Sequence, residues 1–293
     1  MAQGASLGDR LKSWWLYPLP HHLLSRSVLW LTRQRSRYTA AAIRWFSRRY
    51  QVDLSDALEP DPRAYPSFNA FFTRALRPGA RPMPEATDAV ACPVDGQVSE
   101  LGQVEEGRIL QAKGRDYSVY ELLGGSKQRA AEFSTGHFIT LYLSPRDYHR
   151  IHMPFGGSLR ETVHVPGRLF SVAPHTTRAI PRLFARNERL ACLFDTEIGP
   201  MAVVLVGAIN VAAIETVWAG LVCPPRAKTI SVERYGEPRP RVTLSRGMEL
   251  GRFNMGSTVI LLFGQPSLRW RDGLSAGMAV RVGETIAGPP PLG

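Results

Sequence analysis

The sequence predicts an α+β protein in which N-terminal amphipathic helices precede a largely antiparallel, β-rich core of barrel-like or sandwich-like form. Residues 7–17 and 21–50 have the character of amphipathic helices, with a break near 35–38. From about residue 89 onward, short β-type runs alternate with glycine and proline, a spacing typical of antiparallel sheets. These two sequence patterns divide the chain into a helical part and a sheet part.

Between these parts, Pro60 and Pro62 mark a linker. Residues 67–76 are predicted to form a short helix that is capped by Ser67 and carries phenylalanines on one side. The predicted strands cover 90–101, 138–143, 158–165, 190–196, 201–206, 211–217, 242–244, 258–263 and 278–282. The resulting boundaries are a helical region over 1–76, a β-rich domain over 77–286 and a disordered tail over 287–293.

Composition indicates the compartment and the kind of partner that the protein has. Hydrophobic residues make up 44% of the chain, which is enough for a sizeable core. The three cysteines are odd in number and lack metal-type spacing, so we expect a reducing compartment and no disulfide framework. The formal net charge is +11, and residues 1–50 hold nine basic side chains against one acid, Asp9. Such a basic segment predicts a polyanionic partner.

The apolar residues of the same segment favour an anionic membrane surface over nucleic acid. Trp14, Trp15, Tyr17 and Trp30 are interfacial in character, and the arginines among them would meet anionic lipid. No apolar run approaches the roughly 20 residues of a spanning helix, and no secretory signal is evident. No nucleic-acid motif is present. Two alternatives stay open: a mitochondrial transit peptide, and helices that simply pack on the body with arginines facing water.

Ser257 is the first candidate for chemistry. It follows Gly256 and opens the apolar run 259–263. Since glycine lacks a Cβ, Gly256 can adopt a strained backbone that brings its carbonyl close to Ser257 Oγ. Attack on that carbonyl would turn the peptide bond into an ester. Elimination and hydrolysis would then cut the chain and leave a pyruvoyl group at Ser257. The alternative is an ordinary turn at the start of a strand.

Two further segments carry titratable groups. His149 and His152 lie between Pro145 and Pro154, in what we expect to be a loop or a single helical turn. One exposed and one core histidine is the simpler interpretation, and no metal site is predicted because a third ligand at suitable spacing is missing. Asp95 is either a turn aspartate or the group that orients a histidine. A nucleophile, a base and an orienting acid could thus come from Ser257, His152 and Asp95.

Several motifs in one order give a specific resemblance. From about residue 10 to about residue 285 the chain resembles the bacterial-type phosphatidylserine decarboxylase proenzymes. The matching segments are 93–96, 111–114, 142–154, 165–172, 184–189, 206–208 and 249–260, the last containing the Gly256-Ser257 site. Met255 stands where the family commonly has leucine, a swap that conserves volume.

The resemblance implies roles for these residues. Asp95, His152 and Ser257 would form the self-cleavage triad, Ser257 would become the covalent pyruvoyl cofactor, and His149 would act on the substrate. The implied reaction is decarboxylation of phosphatidylserine to phosphatidylethanolamine. The chains 1–256 and 257–293 would stay associated, with a homodimer left open. The enzyme would lie peripherally on the cytoplasmic face of a bacterial cell membrane, and the mitochondrial inner membrane is the less favoured location.

Three other functions compete with this interpretation. A non-catalytic lipid-surface module would explain the charge and the tryptophans, and it predicts an intact chain. A metallohydrolase using His149, His152 and Asp95 predicts bound zinc. A pyruvoyl enzyme acting on a small amino acid would share the Gly256-Ser257 chemistry, but the membrane-type N-terminus argues against it.

Overall fold

A computed structural model describes residues 6–14, 16–112, 114–209, 213–223, 229–254 and 257–289. The helices in these residues are α1 Leu7–Trp14, α2 His21–Arg33, α3 Thr39–Tyr50, α4 Phe68–Phe72, α5 Val119–Leu122, α6 Lys127–Ala131, α7 Pro174–Ala179 and α8 Leu183–Arg186. The strands are β1 Val90–Ala91, β2 Gly96–Gln103, β3 Arg108–Ala112, β4 Arg115–Ser118, β5 His137–Leu143, β6 Arg150–His152, β7 Gly157–Val165, β8 Arg189–Thr196, β9 Gly199–Val206, β10 Ile214–Thr216, β11 Gly220–Leu221, β12 Ser231–Arg234, β13 Val242–Leu244, β14 Glu249–Phe253, β15 Ser257–Phe263, β16 Arg269–Trp270, β17 Ala279–Val280 and β18 Thr285–Gly288.

A nine-stranded sheet forms the centre of the β-rich part. Its spatial order is β12-β7-β8-β9-β15-β5-β2-β17, and β13 also pairs with β7. All neighbouring pairs in this sheet are antiparallel. The predicted α+β class with a largely antiparallel core is therefore confirmed. Since the order has two ends, the described strands form an open sheet, and the closed form of the predicted barrel is not found among them.

Strand β15 lies in the middle of this sheet. Residues 258–263 pair with β5 on one side and with β9 on the other, in continuous register. All seven residues of β15 are buried. A strand covered on both faces needs an unbroken apolar run rather than alternation, and 259–263 supplies it. Ser257 therefore begins the best-enclosed strand of the protein.

A four-stranded sheet, in the order β11-β10-β14-β6, lies beside the functional segments. Its strand β6 corrects the prediction of a loop or single helical turn over 144–154, because residues 150–152 pair with β14. The predicted strand 90–101 is also interrupted, since β1 ends at Ala91 and β2 begins at Gly96. Pro93 lies in the gap and has no amide hydrogen for a sheet ladder. Asp95 is thereby placed on a connection between two strands.

The predicted N-terminal helices form and contact the β-rich part, and the predicted break separates α2 from α3. In α1, Asp9 pairs with Arg178 of α7 at 3.1 Å. At the start of α2, His21 Nε2 donates to the Leu16 carbonyl at 2.6 Å, and its Nδ1 accepts the Leu169 amide at 3.3 Å. These contacts fix the helices on the body of the protein.

An aromatic cluster joins α3 to α4. The buried members are Ile43, Phe46, Phe71 and Phe72. The Ser67 hydroxyl accepts the Ala70 amide at 3.2 Å, so the predicted cap of α4 is confirmed. Phe72 extends from this cluster to His149, one of the site residues predicted from the sequence, with ring centroids 4.1 Å apart.

No helix in the described part of the chain is both long and apolar enough to cross a membrane. At the C-terminus, Ala287 and Gly288 belong to β18, although the sequence assigned them to a disordered tail. Residues 290–293 of that tail, and Trp15, Met255 and Gly256, lie outside the described residues.

Candidate active site

Ser257 is the first residue of β15 and pairs with Leu143, the last residue of β5. Its side chain is fully buried, and its Oγ has no hydrogen-bond partner among the described residues. A buried hydroxyl without a hydrogen-bond partner costs free energy, on the order of 1–3 kcal/mol. Such a group in a folded protein calls for an explanation, and a chemical role is one. The other half of the predicted cleavage site, Gly256, lies outside the described residues.

His149 is also fully buried. Its Nδ1 faces the Asp147 carbonyl at 2.8 Å, and since a carbonyl only accepts, Nδ1 carries the proton. The lone pair is then on Nε2, which has no partner among the described residues. Burial, partly opposed by the bond to Asp147, lowers the pKa of His149 from 6.5 to about 3. His149 is therefore a neutral imidazole at neutral pH, with an unpartnered lone pair on Nε2.

His152 has the same tautomer with a different neighbour. Its Nδ1 donates to the Gly247 carbonyl at 2.8 Å, and its Nε2 lies 3.0 Å from the Tyr148 hydroxyl, which therefore donates to it. The two rings stack with centroids 5.6 Å apart. Burial lowers the pKa of His152 below its ordinary value, although the Gly247 carbonyl opposes the effect. His152 is thus held neutral and oriented.

Asp95 is anchored by partners that the sequence did not predict. Arg81 Nε donates to Asp95 Oδ1 at 3.0 Å and Arg81 Nη2 donates to Oδ2 at 2.5 Å. The Val282 amide adds a bond to Oδ1 at 2.9 Å. No hydrogen bond joins Asp95 to His152 in the described part of the chain, so the orienting bond proposed from the sequence is not formed in this state.

The backbone nevertheless brings the four predicted residues to one end of the central sheet. The His152 amide donates to the Pro93 carbonyl at 2.8 Å, which sets β6 beside the segment that carries Asp95. The Phe253 amide donates to the His149 carbonyl at 3.0 Å, so β14 ends beside His149 shortly before Ser257. A Cβ at Gly96 would lie 2.4 Å from the Tyr142 carbonyl, so β2 begins in close contact with the end of β5.

A cavity of about 370 Å³ opens beside Asp95 and is lined in part by Arg74, Arg81, Asp147 and Tyr148. Arg74 is buried, and its Nε has no partner among the described residues. Burial lowers the pKa of Arg74 and raises that of Asp147, and the Ser144 hydroxyl and amide both bond the Asp147 carboxylate at 2.7 Å. Sequence reasoning missed Arg74 and Arg81 because nothing in their local pattern distinguishes them from other arginines near prolines.

Comparison with known proteins assigns a family to this arrangement. A family model described as phosphatidylserine decarboxylase matches residues 68–288, and a second, described as PSD, matches residues 11–51. The phosphatidylserine decarboxylase proenzyme of Pseudomonas entomophila (strain L48) is 58% identical over 275 residues, which cover 93% of this chain and 96% of the relative. That of Pseudomonas aeruginosa (strain LESB58) is 56% identical over 286 residues, 97% of this chain and 99% of the relative. The chain therefore belongs to the phosphatidylserine decarboxylase family.

Proposed function

We propose that Ser257 is the residue that becomes the pyruvoyl group, that His152 and Asp95 assist this conversion, and that His149 acts on the substrate. As a member of its family, the chain is a phosphatidylserine decarboxylase, a carboxy-lyase of phospholipid biosynthesis. It is made as a proenzyme that forms its pyruvoyl group from a serine. The family assignment selects the enzyme over the lipid-binding module and the metallohydrolase.

The surroundings of Ser257 fit a group built from the chain itself. The hydroxyl is buried, lacks a described hydrogen-bond partner and begins a strand that is paired on one side at Ser257 and on both sides from Thr258. Burial excludes bulk water from Ser257, so the hydroxyl can react without first losing a hydration shell. A ketone at this position would be held on rigid backbone, as a preorganised site requires.

Self-cleavage begins at the Ser257 hydroxyl. Ser257 Oγ loses its proton to His152 and adds to the Gly256 carbonyl carbon, and the Gly256–Ser257 C–N bond then breaks to leave an ester and a free amine. Loss of the Ser257 α-proton expels the Gly256 carboxylate. Water then replaces the nitrogen, which leaves as ammonia. For this role, His152 must exchange its bond from Tyr148 for one from Ser257, and Asp95 would support the charge that develops.

In the mature enzyme the pyruvoyl group supplies a ketone that condenses with the substrate amine and withdraws electrons as the carboxylate leaves as carbon dioxide. The neutral His149 supports a role next to this chemistry, because its Nε2 has no described partner and can accept a hydrogen bond from the substrate amine. A proton must later return to the substrate carbon, and His149 or His152 is the candidate donor.

The cavity beside Asp95 supports binding of a zwitterionic lipid head group. The buried Arg74 guanidinium retains a free Nε donor for a carboxylate or phosphate oxygen. The Asp147 and Asp56 carboxylates line the same cavity and can accept from an ammonium. We infer that this cavity holds the polar part of phosphatidylserine during turnover.

The N-terminal helices support peripheral binding to an anionic membrane. Leu23, Trp30 and Leu31 are about two-thirds exposed and occupy positions i, i+7 and i+8 of α2, which places them on one face. On α3, Trp45 is 65% exposed and lies one turn from Arg48 and Arg49. Such a surface inserts aromatic rings at the headgroup level while arginines meet anionic lipid. Association with the cytoplasmic face of a bacterial membrane and formation of a homodimer stay predictions.

The decisive experiment is the intact mass of the purified protein under denaturing conditions. We expect two chains cut between Gly256 and Ser257, with the smaller one blocked by pyruvoyl. Ser257→Ala should stay one chain. Thr258→Val is the matched control, because it removes a neighbouring buried hydroxyl that also lacks a described partner. It should still be cut, because Ser257 is retained. A single chain from folded wild-type protein, or cleavage of Ser257→Ala at the same bond, would overturn the proposal.

A further inference from the structure

A second cluster of titratable side chains lies away from the active site. It comprises His164 on β7, Glu188 just before β8, and Cys223 two residues after β11. All three are buried, with 4%, 3% and 1% of their surfaces exposed. One potential ligand atom from each lies within 4.8 Å of the others, and no other such group of His, Cys, Asp or Glu occurs in the described part of the chain.

The hydrogen bonding of this cluster is incomplete. His164 Nε2 and Glu188 Oε1 are 3.0 Å apart and bond to each other. However, His164 Nδ1 and Glu188 Oε2 are buried and have no partner among the described residues. Buried polar atoms are normally satisfied, so two unsatisfied atoms in one pair point to a missing ligand. A cation could bind one ring nitrogen of His164 together with the Glu188 carboxylate, whereas an anion would be repelled by that carboxylate.

A further imidazole stands beside the cluster in a suitable tautomer. His22 Nε2 donates to the Gly167 carbonyl at 2.9 Å, which leaves the lone pair on Nδ1. That Nδ1 lies 3.8 Å from Glu188 Oε2. Metal-binding histidines commonly donate their second ring nitrogen to a carbonyl in this way. His22 is 47% exposed, so it also offers a route from solvent to the buried pair.

We propose that His164, Glu188 and Cys223 bind a divalent transition-metal ion of the zinc class, with His22 Nδ1 available as the fourth ligand. Nitrogen, oxygen and sulfur donors together suit Zn²⁺, whereas Mg²⁺ and Ca²⁺ prefer oxygen alone. On binding, the Cys223 thiol releases its proton to solvent and its sulfur bonds the ion. A thiolate and a carboxylate then balance the two positive charges.

The spacing of the ligand atoms is compatible with such an ion if the side chains move slightly toward one another. Zinc lies about 2.0–2.3 Å from its ligand atoms, so tetrahedral ligands are roughly 3.3–3.8 Å apart. Ligand atoms within 4.8 Å of one another need side-chain movements of about 1 Å to reach that spacing. The ion would connect β7 and the β11 end to α2, so it would fasten an N-terminal helix to the core.

The test is titration of the metal-free, full-length protein with Co²⁺, a spectroscopic substitute for Zn²⁺. We expect one ion per chain, a thiolate-to-cobalt charge-transfer absorption, and displacement by Zn²⁺. Cys223→Ala should abolish the charge-transfer band and weaken binding about tenfold or more. Cys92→Ala is the matched control, because Cys92 is an equally buried thiol whose Sγ faces the Val94 carbonyl instead.

Wild-type protein that binds no stoichiometric Co²⁺, or that binds it without the thiolate band, would overturn the proposal even if Cys223→Ala fails to fold. A band that survives Cys223→Ala would overturn it as well. Zn²⁺ should also raise the unfolding temperature of wild type by more than that of Cys223→Ala. These readouts do not depend on self-cleavage or decarboxylation, so they test the metal site separately from the proposed catalytic roles.

Discussion

The Phe72 ring covers the His149 imidazole, with ring centroids 4.1 Å apart and an angle of 43° between the planes. This contact links the N-terminal aromatic cluster to the active site. It also helps to exclude water from His149, and burial is the main cause of the low pKa of that histidine. The chemistry of His149 is therefore under the control of a residue from the helical region.

We predict that Phe72→Ala raises the pKa of His149 from about 3 toward 6.5, because water gains access to the protonated form. An NMR titration of the labelled imidazole measures this directly. Phe71→Ala is the control, since Phe71 is equally buried in the same cluster but its ring contacts Tyr65 and Phe68 rather than His149. If both variants leave His149 untitrated down to pH 4, the ring of Phe72 does not govern its protonation.

The same low pKa predicts a pH dependence of stability. Between about pH 6.5 and pH 3 the unfolded chain binds a proton at His149 that the folded chain does not. The unfolding free energy therefore falls as the pH drops through this window, by at most about 1.4 kcal/mol per pH unit from this group. His149→Gln should flatten the dependence in urea denaturation at pH 7 and pH 5.

We predict that both active-site histidines carry their proton on Nδ1, because each Nδ1 faces a carbonyl. Long-range ¹H–¹⁵N correlation spectra distinguish the two tautomers. His21 is an internal control with the opposite tautomer, since its Nε2 faces the Leu16 carbonyl. A proton found on Nε2 of His149 or His152 would contradict the proposed basic nitrogens.

The Arg81 anchor predicts that Arg81→Gln slows self-cleavage. The variant loses the paired bonds that fix the Asp95 carboxylate, and a displaced catalytic group costs on the order of a hundredfold in rate. The time course of the precursor and the two product chains after cell-free synthesis measures this rate. Arg77→Gln should cleave at the wild-type rate, because Arg77 contacts Asp56 and not Asp95. Equal rates for all three proteins would mean that Asp95 needs no anchor.

The exposed aromatic residues predict where the protein meets lipid. Trp30→Ala and Trp45→Ala should each weaken binding to phosphatidylglycerol vesicles about tenfold, because an exposed tryptophan ring no longer enters the interface. Cosedimentation measures the binding, and phosphatidylglycerol avoids competition from substrate binding. Tyr120→Ala removes an exposed aromatic residue of α5 and should bind normally. Losses that are equal in all three variants would argue against a surface on α2 and α3.

The parts of the fold that the sequence predicted well have strong local signals. The apolar run at 258–263 identified β15 within one residue, and Ser67 marked the start of α4. Helices α5 to α8 have only four to six residues, too few for a hydrophobic period to appear. Strand β6 has three residues, and it exists because β14 pairs with it from a distant part of the chain. The sequence around β6 does not indicate this distant partner, so the strand could not be predicted from it.

The proposed active site shows the same division between local and non-local signals. The sequence selected Ser257, His149, His152 and Asp95 as candidates because each is a reactive type of residue in a distinctive segment. The partners Arg81, Tyr148, Gly247 and Phe72 were not, because each acts through a contact that only the folded chain creates. In the structure the Asp95 carboxylate accepts hydrogen bonds from Arg81 and the Val282 amide, whereas the triad predicted from the sequence would pair it with His152.

If Ser257 becomes the pyruvoyl group as proposed, the cofactor is part of β15, and this covalent origin sets the lifetime of the catalyst. A cofactor made from this residue cannot dissociate from the protein or be transferred to another protein molecule. The number of cofactor groups therefore equals the number of matured chains. By the same logic the cofactor cannot be renewed. A molecule whose ketone is reduced or trapped is lost for good, and the cell recovers activity only at the pace of new protein synthesis and maturation.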